Sequence, residues 1–405
     1  MKSFDKIIFY GFPLILFQFF HYVGIPIEIR KMLCFVAVLL LMGYTSDVVF
    51  NIKYSKIEFF SLMKSIFILT FLSIFISQFY WDQLFYLGYI VSSPLLGICY
   101  FFFLLKARPK LIDIENLILI YTFVYCIIWI FAFSQVPTVL FSSSNSDEIL
   151  DDSRGIYRIN IVGRMFLVLS FFFALNKWKI YKEKKFILIA LVCFLFIILQ
   201  VTRQVIILSF LIGMYYFIRS YKKGFILICF IILSFFFLKN AIVINENSVI
   251  GSMINLSENQ LDKGDDDDVR LNATKFFFND FSDNLFTNIF GNGMPHANSN
   301  YGQYTLKISN SYGYYLSDVG YAKMYVITGL LGLVLYVILF IKVAFIKVNE
   351  NWMYAKLFIL YVFLANFGAD WYAKPDGIIL ISICVFLIGK KELVNKSQVA
   401  NKNII

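Results

Sequence analysis

Long apolar runs alternate with short polar segments along almost the whole chain. A helix needs roughly 20 apolar residues, within a range of about 17 to 25, to cross the hydrocarbon core of a bilayer. Runs near this length predict about twelve transmembrane helices, and a polar turn around Thr202 and Arg203 divides one longer run into two. The predicted spans are 7–27, 32–50, 66–81, 84–105, 117–141, 159–175, 186–202, 204–218, 225–244, 319–341, 353–371 and 377–389.

The composition agrees with this pattern and excludes the main classes of soluble protein. The 405 residues are 60% hydrophobic, 20% aromatic and 15% charged, and the mean hydropathy is +0.74. Globular domains carry about 25% charged residues, and a soluble chain of this size leaves a large surface in water. A cytosolic enzyme, a nucleic-acid-binding domain and a secreted disulfide scaffold are therefore excluded. The expected fold class is an all-α polytopic membrane protein.

The net charge of +10 reflects membrane topology rather than a nucleic-acid partner. Cytoplasmic connections of membrane proteins carry an excess of Lys and Arg. Most of the 36 basic residues fall in alternate connections, beginning with the N-terminal segment. This alternation places both termini in the cytoplasm. We therefore expect membrane lipids, and no nucleic acid, among the partners.

One connection on the predicted outer face is much longer than the others. The chain accordingly divides into helices 1–9 at 1–244, a large periplasmic loop at 245–318, helices 10–12 at 319–389 and a cytoplasmic tail at 390–405. A structureless loop of that length is unusual, so we expect it to be partly folded and functional. Its second half, 279–317, is rich in Gly, Asn, Ser and Tyr. That composition suits either a sugar-binding surface or a flexible polar loop.

Positively charged side chains gather near the outer ends of several predicted spans. A charged residue at the bilayer centre costs about 2.5–3.5 kcal/mol on insertion scales, so such residues are usually functional. They suit an anionic lipid head group such as a lipid-linked pyrophosphate, because Arg binds phosphate oxygens bidentately. The alternative is that each long side chain extends along the helix and places its charge at the membrane interface. The case for this alternative is stronger for the two lysines than for the arginines. The candidate pyrophosphate-binding residues are Arg164, Arg203, Arg154 and Arg158, and the secondary cations are Lys239 and Lys323.

Two residues are candidates for the general base that a sugar hydroxyl needs. Asp318 stands at the end of the long loop, where its alternative role is a helix N-cap or first-turn acid. His296 lies within the loop, where an imidazole can take a proton at neutral pH but is also a common surface residue. The run Asp265–Asp268 lacks the spaced ligands and the glycine of a calcium loop. We therefore expect no metal and no cofactor.

Three short motifs occur in a fixed order over about residues 150–342. They are Ser153–Arg154–Gly155 through Asn160 to Arg164, then Val201–Thr202–Arg203–Gln204, then Phe290–Gly291–Asn292–Gly293 followed by Ser317–Asp318–Val319–Gly320 and Gly329–Leu330–Leu331–Gly332. Together with the single large outer loop after the ninth span, this order resembles the O-antigen polymerase and O-antigen ligase superfamily. Ligases of that superfamily tend to carry a His-Asn pair where this chain has Ser317–Asp318, which favours a polymerase.

What the resemblance implies is a membrane glycosyltransferase of the bacterial inner membrane. It would polymerise undecaprenyl-pyrophosphate-linked oligosaccharide repeat units into O-antigen or a related surface polysaccharide, with arginines holding the donor pyrophosphate. Besides these lipid-linked oligosaccharides, a chain-length regulator would be a partner. Two alternatives stay open: an O-antigen ligase that transfers glycan to the lipid A core, and a flippase or transporter for lipid-linked oligosaccharide. Many transporters have repeated halves, and the sequence shows no internal repeat.

Overall fold

The computed structural model describes residues 1–136, 138–141, 150–151, 156–157, 159–200, 202–218, 268–282 and 284–390. These residues are helical apart from connections and one two-stranded antiparallel ladder, β1 (Leu150–Asp151) with β2 (Ile156–Tyr157). The α-helices are α1 (Ser3–Leu16), α2 (Ile27–Val49), α3 (Phe60–Trp81), α4 (Phe85–Leu96), α5 (Tyr100–Ala107), α6 (Leu111–Ser134), α7 (Met165–Tyr181), α8 (Lys184–Leu199), α9 (Arg203–Ile218), α10 (Val269–Asn279), α11 (Leu285–Phe290), α12 (Asn300–Tyr312), α13 (Gly320–Phe345), α14 (Met353–Ala365) and α15 (Pro375–Gly389). Short 3-10 helices cover Phe19–His21, Ile52–Lys56, Gly97–Cys99, Leu316–Asp318, Glu350–Trp352 and Trp371–Ala373.

Each predicted span that falls on described residues contains a helix. Within that part of the chain, six helices are long and apolar enough to cross a membrane: Ser3–His21, Ile27–Val49, Phe60–Trp81, Phe85–Ala107, Leu111–Ser134 and Gly320–Phe345. This is the architecture of an all-α membrane protein with several spans. Helix α8 ends at Leu199 and α9 begins at Arg203, so the predicted division of that apolar run is confirmed. The ninth predicted span, 225–244, lies outside the described residues.

Helix α15 forms the centre of the bundle. All its residues from Asp376 to Gly389 are buried, and it packs against α1, α5, α7 and α14. A helix that is apolar on every side lies in the core of a large protein. At 1.5 Å per residue α15 is about 22 Å long. The connection 366–374 covers its N-terminal end, since the carbonyl oxygen of Trp371 would lie 2.0 Å from a Cβ on Gly377.

Helix α14 ends earlier than its sequence predicts. The predicted span reaches residue 371, whereas the helix ends at Ala365. The side-chain oxygen of Asn366 instead accepts a hydrogen bond from the backbone N–H of Tyr372 at 3.2 Å, and residues 370–373 are buried. Non-helical backbone is tolerated in membrane proteins where protein buries it. Trp371 and Tyr372 therefore pack inside the protein in a non-helical connection, and the predicted span extends six residues beyond the end of the helix.

The described part of the predicted outer loop is folded. It comprises residues 268–282 and 284–318, contains α10, α11 and α12, and packs against α3 and α13. We call this segment the lid. It shares a small hydrophobic core with the first turns of α13. That core consists of Ala273, Phe277, Phe281, Tyr301, Ile308, Val319, Ala322 and Val326.

Two glycine motifs of the sequence meet where the lid contacts α13. Helix α13 is kinked at Gly329, whose φ of +68° is a left-handed value that favours glycine. The backbone N–H of Gly293 donates to the carbonyl oxygen of Ile327 at 3.1 Å. A Cβ on Gly291 would stand 2.2 Å from that same oxygen, and one on Gly329 would stand 2.2 Å from the carbonyl oxygen of Ile289. The close approach of two backbones therefore requires both glycines.

Candidate functional site

The first turns of α7 and α15 meet through one buried carboxylate. Asp376, in the first turn of α15, accepts hydrogen bonds from the backbone N–H groups of Gly163 and Met165 at 3.0 and 3.1 Å. A carboxylate is favoured at this place because helix N-termini carry unsatisfied N–H groups and a partial positive charge. Asp376 therefore holds the start of α7 against the start of α15.

Arg164 connects the start of α7 to two other elements. Sequence reasoning places it several residues inside the span 159–175, but α7 begins at Met165 and Arg164 directly precedes it. The side chain is buried, at 7% exposure. Its Nη1 donates to Thr202 Oγ1 at 3.2 Å, and its guanidinium carbon lies 4.2 Å from the centre of the Trp371 ring. This cation–π contact and this hydrogen bond direct Arg164 into the protein rather than towards lipid.

A second cation, which the sequence analysis missed, lies over the same indole ring. Lys374 Nζ is 4.4 Å from the centre of the Trp371 ring and 3.7 Å from Asp370 Oδ1. Partial burial lowers the pKa of Lys374 from its ordinary value; Asp370 opposes this shift and the guanidinium of Arg164 adds to it. Arg164 and Lys374 therefore both contact the ring of Trp371, although their positive charges repel each other. A bound anion would relieve that repulsion.

Lys323 is buried and paired, so it does not snorkel to the interface. It lies in the first turn of α13 and forms an ion pair with Asp370, and both side chains are less than a tenth exposed. Removing one partner of a buried pair leaves an uncompensated charge, which is strongly destabilising. The pair therefore holds the start of α13 against the connection 366–374 and fixes the geometry next to Trp371.

Positive charges outnumber negative ones in this group even without Arg203, since the cations Arg164, Lys323 and Lys374 accompany the carboxylates Asp370 and Asp376. The half-buried Arg203 begins α9 and directly follows Thr202, whose hydroxyl accepts a hydrogen bond from Arg164. Four helix N-termini contribute further positive potential at this end of the bundle. A partly dry region with excess positive charge and guanidinium groups is suited to phosphate oxygens. We call this group the cationic site: the cations are Arg164, Arg203, Lys323 and Lys374, and the carboxylates are Asp370 and Asp376.

Asp318 lies beside the cationic site. The backbone N–H of Asp370 donates to the carbonyl oxygen of Ser317 at 3.2 Å, so the residue next to Asp318 contacts the buried ion pair. The carboxylate accepts a hydrogen bond from the Ser317 hydroxyl at 3.4 Å. The N-cap position of α13 is Val319, without a side-chain cap. Asp318 is half-buried and does not serve as the cap of that helix.

His296 lies in the lid, and its hydrogen bonds are with Gln83 and Asn298 rather than with residues of the cationic site. Its backbone N–H donates to Gln83 Oε1 at 2.8 Å, and its Nδ1 accepts from the backbone N–H of Asn298 at 3.2 Å. Burial lowers the pKa of His296, and the charge of Lys31 lowers it further. The imidazole is therefore neutral at pH 7, with its proton on Nε2. In this tautomer Nε2 is a donor and the lone pair of Nδ1 is already occupied.

The remaining predicted cations Arg154, Arg158 and Lys239 lie outside the described residues. Trp371 and Lys374 were missed, and Asp370 and Asp376 received no role from sequence reasoning. A signal was present, because the segment Asp370–Asp376 places three charges and a tryptophan between two apolar runs. Among the described residues, no group of three or more His, Cys, Asp or Glu side chains is placed to hold a metal ion.

Comparison of the chain with protein-family models, with curated proteins and with solved structures found no match.

Proposed function

We propose that this protein is a membrane glycosyltransferase that polymerises undecaprenyl-pyrophosphate-linked repeat units into O-antigen or a related surface polysaccharide. The proposal includes about twelve spans, both termini in the cytoplasm, and the lid and cationic site at the outer face of the bacterial inner membrane. One observation carries it: the buried Arg164, held between Trp371 and Thr202, belongs to a site with more cations than carboxylates. The charge of such a site favours an anionic ligand, and we propose that this ligand is the pyrophosphate of a lipid carrier.

Arg164 and Arg203 hold the pyrophosphate of the donor. Arg154 and Arg158, which precede Arg164 in the chain and lie outside the described residues, are proposed to bind the same pyrophosphate. Guanidinium groups that are already oriented stabilise negative charge as it develops on a leaving group, and they need no reorganisation during the reaction. Thr202 and Trp371 provide that orientation for Arg164.

The transfer step moves the growing glycan from its carrier to the next unit. A hydroxyl oxygen of the acceptor sugar bonds to the anomeric carbon of the donor's first sugar, and the bond from that carbon to the pyrophosphate oxygen breaks. The electron pair leaves with undecaprenyl pyrophosphate, and the hydroxyl proton passes to a general base. Asp318 fits this role better than His296. Its carboxylate lies next to the cationic site, and the Ser317 hydroxyl takes only one of its several lone pairs, whereas the single acceptor nitrogen of His296, Nδ1, already accepts a hydrogen bond.

The lid supplies the surface for the sugars. Trp81, at the end of α3, stacks on Tyr301 with 4.6 Å between ring centres and lies 5.3 Å from the ring of Tyr304. Its indole N–H donates to Asn292 Oδ1 at 2.8 Å. Tyr301 and Asn292 are buried and hold this cluster in place, whereas the ring of Tyr304 is more than a third exposed. An exposed aromatic ring of this kind suits the face of a pyranose ring. A lid that covers the sugars also limits the access of water to the donor.

Deletion of the gene tests this function directly. A polymerase mutant should still attach single repeat units to the acceptor, so the ladder of the surface glycan should collapse to its lowest step. Loss of all glycan from the acceptor would instead identify a ligase, and accumulation of unextended lipid-linked units on the inner leaflet would identify a flippase. An intact ladder would contradict all three. Complementation with the wild-type gene is the control.

Substitution of the two candidate bases should separate them. Asp318→Asn should slow chain extension by about 10²–10⁴-fold, the range of general-base catalysis, whereas His296→Gln should leave the glycan ladder close to normal. The matched control is Asp280→Asn, an exposed acid at the end of α10 in the same lid. Normal polymer from Asp318→Asn would remove this residue from the mechanism.

A further inference from the structure

A second buried cation lies outside the cationic site. Arg30 stands in the first turn of α2 and is only 6% exposed, yet its buried Nε and Nη1 atoms find no hydrogen-bond partner among the residues that the structure describes. Glu28, an exposed residue of the same turn, acts on it only through its charge. A buried guanidinium is costly unless its donors are satisfied. Arg30 is therefore prepared for an anionic ligand.

Other basic side chains surround the same place. Lys31 follows Arg30 in the chain, and the charges of both residues act on the imidazole of His21. The charge of Lys31 also acts on His296 in the lid. Among the described residues, the region therefore combines the N-terminus of a helix of 23 residues with a buried guanidinium that lacks partners for two of its nitrogens, an ammonium and two imidazoles. The helix N-terminus and the two cations favour negative charge, and a neutral imidazole can donate a hydrogen bond to a phosphate oxygen.

An unusual backbone joins this region to the cationic site. Gln18, Phe19, Phe20 and His21 all have left-handed φ values, from 50° to 58°. Consecutive left-handed residues other than glycine are strained and persist only where the surroundings hold them, often at functional sites. This turn places the Phe20 ring 3.0 Å from where a Cβ on Gly163 would lie. Since Gly163 precedes Arg164, the two cationic regions are neighbours.

We propose that Arg30, Lys31 and His21 form a second phosphate-binding site, which holds the pyrophosphate of the acceptor lipid. This inference rests on the proposed function, because chain extension needs two lipid-linked units at once. One pyrophosphate leaves during the transfer, and the other stays on its sugar. Two such groups repel each other at close range, so each requires its own cations. The cationic site around Arg164 serves the donor, and the site around Arg30 serves the acceptor.

The test measures how many lipids the full-length protein binds. The probe is undecaprenyl pyrophosphate, added to protein in lipid nanodiscs and counted by native mass spectrometry. The wild type should bind two molecules, Arg30→Gln one, Arg164→Gln one and the double variant none. The affinity lost with each guanidinium should be about tenfold to a hundredfold, as for charge-assisted hydrogen bonds. Arg108→Gln, which removes an exposed arginine following α5, should leave both molecules bound.

Two further variants test whether the second lipid is lost because a ligand group is missing or because the fold is damaged. Arg30→Lys keeps the charge and should retain most of the second binding, and the half-exposed Lys31→Gln should weaken it severalfold without disturbing the fold. Competition with inorganic pyrophosphate then identifies the source of the ligand. If it displaces the second lipid in the wild type, the site recognises phosphate alone; if it does not, the site recognises a lipid head group. In either case binding depends on Arg30.

A single bound lipid in the wild type would overturn the proposal, as would two in Arg30→Gln. Failure of the proposed function has a different signature. An unchanged glycan ladder in the deletion strain would remove the polymerase function, but it would not restore a second lipid that is lost with Arg30.

Discussion

Replacing Arg164 with Gln should abolish chain extension, with a loss of at least about 100-fold in rate. The buried guanidinium lies between Trp371 and the Thr202 hydroxyl, and we propose that it stabilises the charge that the departing pyrophosphate gains. Glutamine can still donate to Thr202, so the packing is largely kept while the charge is lost. Polymerisation of lipid-linked repeat units by purified protein is the measurement, followed as the length of the glycan product.

Three companion variants make this result specific. Arg203→Ala should abolish extension in the same way, whereas Arg164→Lys, which keeps the charge but loses the planar fork, should be partly active. Arg108→Gln should be fully active. All variants should insert into the membrane at the wild-type level. Full activity in both Arg164→Gln and Arg203→Ala would defeat the assignment of the pyrophosphate to this site.

Replacing Gly329 or Gly291 with Ala should destabilise the fold by about 4 kcal/mol or more, the range of severe damage. A Cβ at either position would stand 2.2 Å from a carbonyl oxygen of the opposing backbone, and both glycines have left-handed φ values, so neither backbone can move without breaking the contact. Thermal unfolding of the detergent-solubilised protein measures the effect. Gly43→Ala in α2 is the control, because a Cβ there meets no atom within 4 Å. Equal midpoints for all three variants would show that the lid contact is dispensable.

The helical architecture follows from simple physics that is readable in the sequence. An apolar run of bilayer length forms a helix, because backbone polar groups must be satisfied inside the segment. The division of the long apolar run at Thr202 and Arg203 was also predictable, since a charged and a polar residue interrupt the apolar pattern there. The end of α14 was not predictable. Aromatic residues such as Trp371 and Tyr372 occur both in helices that face lipid and in buried connections, so the sequence does not distinguish the two.

The site was predictable only in part. Arg164 and Arg203 stand out because arginine is rare inside apolar runs, and the structure places them on joined helix ends. The ion pair of Lys323 with Asp370 joins residues 47 positions apart, and no local pattern reports such a pairing. Lys374 could not be predicted as a site residue for another reason. A lysine between two apolar runs normally belongs to an exposed connection, and only the structure shows that residues 370–373 of this connection are buried.

The central position of α15 has a consequence for how the chain is made. Ribosomes synthesise α1 to α14 first, so these helices enter the membrane before the helix that their inner faces surround exists. Until α15 arrives, the backbone N–H groups of Gly163 and Met165 have no Asp376 carboxylate to which they can donate. The arginine-bearing end of α7 therefore acquires its final orientation only after α15 has been inserted.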